Sequence, residues 1–281
     1  MRMRNLMGAA TGVLALSAVS APAYAQDMAS DEEFTGFYVG GSVGYTVQNN
    51  DIGESIVFDA GRNGSFGDTI TTAPPASANA FSPGFCNGAA TSNLNNSCVN
   101  DKDDIEYYAR VGFDKQFGGV VVGLVGEFGK SQISDSVSAF STTPAFYTMT
   151  RELDWNAALR ARAGYAVGPQ TLVYGTGGGA YAKLGSSFTT GNGANSFAVS
   201  GDDMVWGWQA GGGLEQKLGS NFSIGVEYLY SRYNDDESRV NVGNGTAGAT
   251  NPFVLAGGAD FRRSSDRFDF HSLRATAAFR F

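Results

Sequence analysis

The chain has 281 residues, of which 39 are Gly and only 7 Pro, and charged residues make up 16% of it. Glycine is at about twice its usual share, charge is well below the roughly 25% of a soluble domain, and 42% hydrophobic content with a mean hydropathy of −0.15 excludes a disordered chain or a bundle of membrane helices. A formal charge of −8 argues against a nucleic-acid partner, because neutralising phosphates needs a surplus of Lys and Arg, and one His with two Cys leaves little for metal chemistry.

The first element is a targeting segment. Arg2 and Arg4 precede an apolar, Ala-rich run over 6–18, followed by the small-x-small site Ala23-Tyr24-Ala25. This predicts a secretory signal peptide over 1–25, cleaved to leave Gln26, rather than a membrane anchor, for which the apolar core is short. Its removal takes the formal charge from −8 to −10, since two Arg and no acids are lost. Residues 26–35, with Asp31-Glu32-Glu33, read as a short periplasmic lead-in. No later run of eighteen apolar residues exists, so no spanning helix is expected in the mature chain.

From residue 36 to 281 apolar residues recur at every second position, the period of a half-buried strand. The first segment sets Phe37, Val39, Val43, Tyr45 and Val47 against Tyr38, Gly40, Ser42, Gly44 and Thr46. The second, near 105–116, sets Tyr107, Ala109, Val111 and Phe113 against Tyr108, Arg110, Gly112 and Asp114. After Gly118-Gly119 a third sets Val122, Leu124 and Phe128 against Val121, Val125 and Glu127. The fourth, near 150–166, sets Leu153, Trp155, Ala157, Leu159, Ala161, Ala163 and Tyr165 against Asp154, Asn156, Arg160, Arg162 and Gly164.

The fifth, 171–184, is Gly-rich and divides Tyr174, Ala180 and Leu184 from Gly175, Gly177 and Lys183. The sixth opposes Trp206, Trp208, Ala210 and Leu214 to Gln209, Gly211, Glu215 and Lys217. A turn at Leu218-Gly219-Ser220-Asn221 leads into the seventh, with Phe222, Ile224, Val226, Tyr228 and Tyr230 opposite Gly225 and Glu227. In the eighth, His271, Leu273, Ala275, Ala277, Phe279 and Phe281 alternate with Ser272, Arg274, Thr276 and Arg280.

Short turns join segments 2 to 3, 4 to 5 and 6 to 7, whereas long loops near 48–103, 131–148, 186–203 and 231–267 join the rest. Strict alternation of long and short connections is the pattern of an up-and-down barrel in an outer membrane, with tight turns on the periplasmic side. The predicted fold is all-β, an eight-stranded antiparallel transmembrane β-barrel. Its charged residues, Arg110, Glu127, Arg160, Arg162, Glu215, Glu227 and Arg274, share the face that is rich in Gly. Eight strands enclose only enough room for side chains, so these ions are expected to pair inside and plug the lumen. Aromatics near strand ends (Tyr45, Trp155, Trp208, Tyr228, Phe279, Phe281) suit interfacial girdles. Ending on an alternating strand, the chain is expected to carry no C-terminal domain or periplasmic anchor.

Gly36-Phe37-Tyr38-Val39-Gly40-Gly41, the run from Trp155 to Tyr165, Val226-Glu227-Tyr228 and the closing His271-Ser272-Leu273-Arg274 to Phe281 together resemble the small outer-membrane β-barrel family of alphaproteobacteria, often labelled porin family or opacity-like. The resemblance extends to the membrane domain of OmpA and covers the whole mature chain. It implies location in the cell outer membrane among lipid and lipopolysaccharide, and a surface protein that stabilises the envelope or acts as antigen or adhesin. It also implies that Phe281 belongs to the signal read by the barrel assembly machinery.

The first loop departs from the family's usual form in its length and in carrying Cys86 and Cys98. An oxidising compartment, an even count and a spacing of twelve favour a disulfide that restrains an otherwise floppy segment. No metal site is expected there, because no His lies in the loop. The run Gly175-Thr176-Gly177-Gly178-Gly179 is followed by no helix and is not read as a nucleotide loop. Acidic clusters at Asp101, Asp103 and Asp104 and at Asp235, Asp236 and Glu237 read as solvated loop charge, with cation bridging to lipopolysaccharide as the other possibility. Catalysis lacks parts: the single His, His271, is placed on the lipid-facing side without a Ser-His-acid set, so no catalytic residue and no cofactor are expected. A narrow pore for ions or small solutes stands as the alternative function, with lipid A modification behind it. No external ligand of the loops can be named from their composition.

Overall fold

The computed structural model describes residues 33–48, 53–87, 101–201 and 203–281. The expected signal peptide, lead-in residues 26–32 and Cys98 lie outside the described residues. In chain order the elements are β1 (Gly36–Val47), β2 (Ile56–Ala60), β3 (Gly84–Asn87), β4 (Asp104–Phe117), β5 (Val120–Ser131), β6 (Ser134–Ser141), β7 (Ala145–Val167), β8 (Thr171–Thr190), β9 (Ser196–Ser200), β10 (Met204–Lys217), β11 (Phe222–Asn234), β12 (Arg239–Gly243), α1 (Pro252–Leu255), β13 (Ala259–Arg263) and β14 (Arg267–Arg280).

Eight of these close an antiparallel barrel in the order β1-β4-β5-β7-β8-β10-β11-β14. The seam between first and last strand runs from Tyr38 opposite Arg280 to Val47 opposite His271. Closure leaves the barrel no free edge, which a lipid setting demands because hydrocarbon cannot hydrogen-bond an unpaired strand. The outer surface carries the apolar set: Phe37, Val39, Val43, Val111, Leu124, Phe128, Leu159, Val226 and Leu273 are all exposed. The opposite parity points inward. Glycines on that inner face clear space for larger neighbours, since a Cβ on Gly112 would lie 2.3 Å from the Tyr38 ring and one on Gly123 would lie 2.1 Å from Asp114 Oδ1.

Two strands depart from the sequence reading. Leu153 was expected on the outer face with Trp155, but the β7–β8 register shifts between these two residues. A bulge of this kind inserts one residue and changes the phase of the strand. Leu153 therefore turns inward to pack with Ile133, Tyr233, Phe268 and Phe270, while Trp155 lies outside, tilted against Phe128 and edge-on to Tyr181 at centroid distances of 5.6 and 6.3 Å. In β8 the expected apolar outer face is inverted: Tyr174, Ala180 and Leu184 are buried, and Lys183 lies outside, 3.4 Å from Asp154.

The long connections, expected as loops, carry six further strands among the described residues. β3 and β6 pair with one another and β6 with the upper part of β7, extending the barrel wall beyond its rim. A separate sheet ordered β2-β13-β12-β9 draws on the first, third and fourth connections. The two sheets meet through Ile56, Phe58, Val137, Tyr147, Met149, Val240, Val242, Phe253 and Phe261, a buried apolar core outside the barrel. Phe58 and Phe81 lie 4.4 Å apart, and Phe58 and Phe261 meet edge-on at 5.7 Å. The short helix α1 supplies Phe253 to this core, capped by Asn251, whose Oδ1 accepts from Phe253 N at 3.0 Å, with Pro252 in its first turn. The first loop is thus not floppy in its described part. Four connections fold into one β-sandwich cap.

An ionic joint lies between the cap core and the barrel. Arg263 grips Glu54 with Nε and Nη2 at 2.8 and 2.5 Å and also contacts Asp135, and Arg151 reaches Asp135 at 2.7 Å and Asp235 at 3.5 Å. Asp235, expected as solvated loop charge, is buried here. Against the cost of burial, Arg151 and Arg263 hold the Asp135 carboxyl below its usual range. Asp101, which accepts from Ser136 N at 2.8 Å, is pushed up to about 7 by burial and by the neighbouring charge of Asp135. A carboxyl with a raised folded-state pKa stabilises the fold when protonated, so its contribution is full below its ordinary pKa and is lost as pH rises through about 7. Cap stability, read as the urea midpoint for protease cleavage of the cap, should therefore fall between pH 5 and pH 8. Asp101→Asn should flatten that slope, and an unchanged slope in the variant would assign the effect elsewhere.

Candidate functional site

In the lumen the sequence puts many ions on a face that the fold encloses. β4 and β5 place Arg110 directly opposite Glu127, and β11 and β14 place Glu227 opposite Arg274. Cross-strand neighbours on one face are close enough to pair, and in a small barrel the opposite wall is in reach as well. Arg110 lies 2.7 Å from Glu127 and donates to Glu227 at 3.0 Å. Arg160, fully buried, reaches Glu127 at 2.9 Å and Glu227 at 3.2 Å, and donates to Gln209 at 2.9 Å. Arg274 joins Glu127 at 3.0 Å. Glu127 is thus shared by three guanidiniums.

Arg162 and Glu215 form a second group nearer the short turns, in direct contact with each other. All seven ions singled out in the sequence are buried, and the structure divides them between these two groups. Three further ions join them that the predicted network left out, although Asp114 and Arg280 had been placed on the inner face. Glu106 takes a two-point grip from Arg274 at 2.6 and 3.1 Å, and Asp114 accepts from Arg280 at 2.9 Å, while Arg280 also approaches Glu215 at 3.3 Å. Five guanidiniums therefore face five carboxylates. Strand parity could have found all three, since Glu106 and Asp114 share a face with Arg110, and Arg280 shares one with Arg274.

Aromatic side chains complete the packing. Tyr174 donates to Glu227 at 2.9 Å with the Arg162 guanidinium 4.0 Å from its ring, and Arg274 lies 4.2 Å from the Tyr108 ring. The free space left beside Arg162, Tyr174 and Glu215 is about 10 Å³, room for at most one water. At the end with the short turns, Phe34 is buried against Val121, Leu172 and Tyr174. It is tied by its backbone, with N donating to Gln116 Oε1 at 3.0 Å and O accepting from Arg280 at 2.6 Å, and Lys217 donates to Glu33 O at 2.7 Å. Toward the cap, Ile133, Leu153, Tyr233, Phe268 and Phe270 fill the opposite end.

The outward residues form an aromatic arc, Phe128–Trp155–Tyr181–Trp206, with successive centroids at 5.6, 6.3 and 4.6 Å. Tyr45, Trp208, Tyr228, Phe279 and Phe281 are exposed on the same outer surface. His271 lies on that side too, 2.6 Å from the Tyr228 hydroxyl. Cys86 sits in β3 opposite Ser138, and its expected partner Cys98 is outside the described residues. Among the described residues no group of three or more His, Cys, Asp or Glu is arranged to hold a metal ion.

Truncating the shared acid tests the lumen directly. Glu127→Ala leaves Arg110, Arg160 and Arg274 short of a buried counter-charge and should cost about 3–5 kcal/mol, read as a lower urea midpoint in detergent. A midpoint equal to that of the parent would mean that the ions do not hold the barrel.

Residues 11–281 match the family model described as the outer membrane protein beta-barrel domain. Over 113 residues the chain is 34% identical to the 31 kDa outer-membrane immunogenic proteins of Brucella melitensis biotype 1 and Brucella suis biovar 1, covering 40% of this chain and 47% of each relative. The match thus spans about half the length of those relatives. Among solved structures, OprG from Pseudomonas aeruginosa aligns over 88% of this chain and 96% of its own with 10% identity and a TM-score of 0.46. The attachment invasion locus protein Ail of Yersinia pestis aligns over 88% and 99% with 12% identity and a TM-score of 0.32. With a barrel greasy outside and ionic within, and a family match over nearly its whole length, the chain belongs to the outer membrane β-barrel domain family and is a protein of the outer membrane.

Proposed function

We propose that this protein is a structural surface barrel whose lumen is closed and whose working part is the folded cap, presented for envelope stability, adhesion or antigenic contact. The observation that carries this reading is the filling of the lumen at successive levels: Phe34, two ionic groups, and an apolar layer below the cap. A solute path would have to break several buried ion pairs at once, each costly to open. The Brucella relatives are named as immunogenic, and exposure to an external partner is proposed here for the cap. No catalytic role is assigned to His271.

The same reading covers biogenesis. Residues 1–25 direct export and are removed, the segment that follows leads into the barrel from the periplasm, and Phe281 belongs to the signal read by the barrel assembly machinery. Cys86 and Cys98 form a disulfide that closes a short loop within the first connection and restrains it. Lipopolysaccharide and outer-membrane lipid surround the wall.

The alternative, a narrow pore, rests on the chance that rearranged ion pairs leave a path. Planar bilayer recording of purified protein separates the two. The closed-lumen reading expects no steady single-channel current from the parent protein, and reproducible open steps would replace it with the pore.

A further inference from the structure

The bulge in β7 opens a notch on the outside of the barrel at the level of the aromatic arc. About 300 Å³ in volume, it is lined by Lys102, Tyr107, Lys130, Glu152, Leu153 and Asp154, among others. Lys130 lies two residues beyond Phe128 on the outer face of β5 and directly opposite Tyr107 of β4. Aromatic rings of this kind mark the boundary between hydrocarbon and head groups, so the notch sits where the phosphates of the outer leaflet's glycolipid would lie.

The charges of the notch are arranged in a particular way. Lys102 is half-exposed and bridges to Asp104 at 2.6 Å, and Asp154 is engaged by Lys183 at 3.4 Å. Lys130 is exposed and lies within ion-pair distance of no carboxylate among the described residues. In a chain of net charge −8 with only five lysines, two ammonium groups thus line one notch at the membrane boundary. Bulges concentrate at barrel rims, where they re-aim side chains. This one turns Leu153 inward and leaves Glu152 exposed beside the two lysines.

We infer that this notch is a docking site for a phosphate of the outer-leaflet glycolipid, lipopolysaccharide, with Lys102 and Lys130 as its cationic contacts and Tyr107 beneath the sugar. The inference rests on the outer-membrane barrel reading and adds a fixed lipid partner to it. Such a contact would hold one glycolipid at a set place on the wall, between β5 and β7, and tie the base of the cap to the leaflet around it.

The test uses the full mature protein refolded in detergent, with bis-phosphorylated lipid A and the same lipid stripped of phosphate as probes, and lipid retention read by native mass spectrometry. The parent should retain the phosphorylated lipid roughly thirtyfold more strongly than the stripped one, from two lysines at about 1 kcal/mol each at an anionic surface. Lys102→Gln with Lys130→Gln should abolish the preference. Lys130→Arg should keep it, and so should Lys115→Gln, near the short turn at the other end of β4. Equal retention of both lipids by the parent, or an unchanged preference in the double variant, would overturn the site. Heat-modifiable migration of every sample reports the barrel separately: its loss in the parent would count against the barrel reading, whereas a folded barrel without lipid preference removes only this site.

Discussion

Ten ions of opposite sign packed inside eight strands are the constraint on which the molecule turns. A carboxylate or guanidinium taken out of water costs several kcal/mol even after relaxation, and only close, well-directed partners recover it. The barrel supplies those partners from opposite walls, so Glu127 and Glu227 each serve several guanidiniums at once. The arrangement fixes strand register as a by-product. Sliding one strand by a residue would turn its ions toward lipid and its Val and Leu residues inward, a double loss that no neighbouring strand could absorb.

The outer half of the molecule solves a different problem by different means. Long connections in water could stay irregular, yet here they assemble a second core from Phe58, Phe81, Tyr147, Phe253 and Phe261. Because β7 and β8 run on past the rim into the cap, the wall of the barrel and one sheet of the sandwich share the same strands. The Arg151–Asp135–Arg263 joint sits where apolar packing of the barrel end gives way to that of the cap. A surface built in this way presents residues from four distant stretches of chain as one shape. A partner that recognises it would read a folded surface rather than a linear segment.

Most of the barrel was legible because its period is two and its outer face must be apolar. β5 is the clearest case: Val122, Leu124 and Phe128 point outward, and Val121, Val125 and Glu127 point inward, as alternation requires. Legibility failed where the period is broken or muted. Nothing in Leu153-Asp154-Trp155 announces a bulge, since neither Gly nor Pro marks it, and the glycines of β8 remove the contrast that would reveal its phase. Glu106, Asp114 and Arg280 share the parity of the ions that were singled out, so alternation alone reaches them. The cap strands β2, β9, β12 and β13 have only five residues each, too short for alternation to stand out from loop composition, and their identity depends on partners far away in sequence.

The central claim is that apolar side chains meet lipid and ions meet each other. Nitroxide scanning of β5 from Val120 to Ser131 in lipid vesicles, with collision rates for dissolved oxygen as the readout, tests it most directly. High oxygen contact at Val122, Leu124 and Phe128 with low contact at Val121, Val125 and Glu127 is the expected pattern. Oxygen contact that peaks at Glu127, or that shows no period of two along the strand, would contradict it.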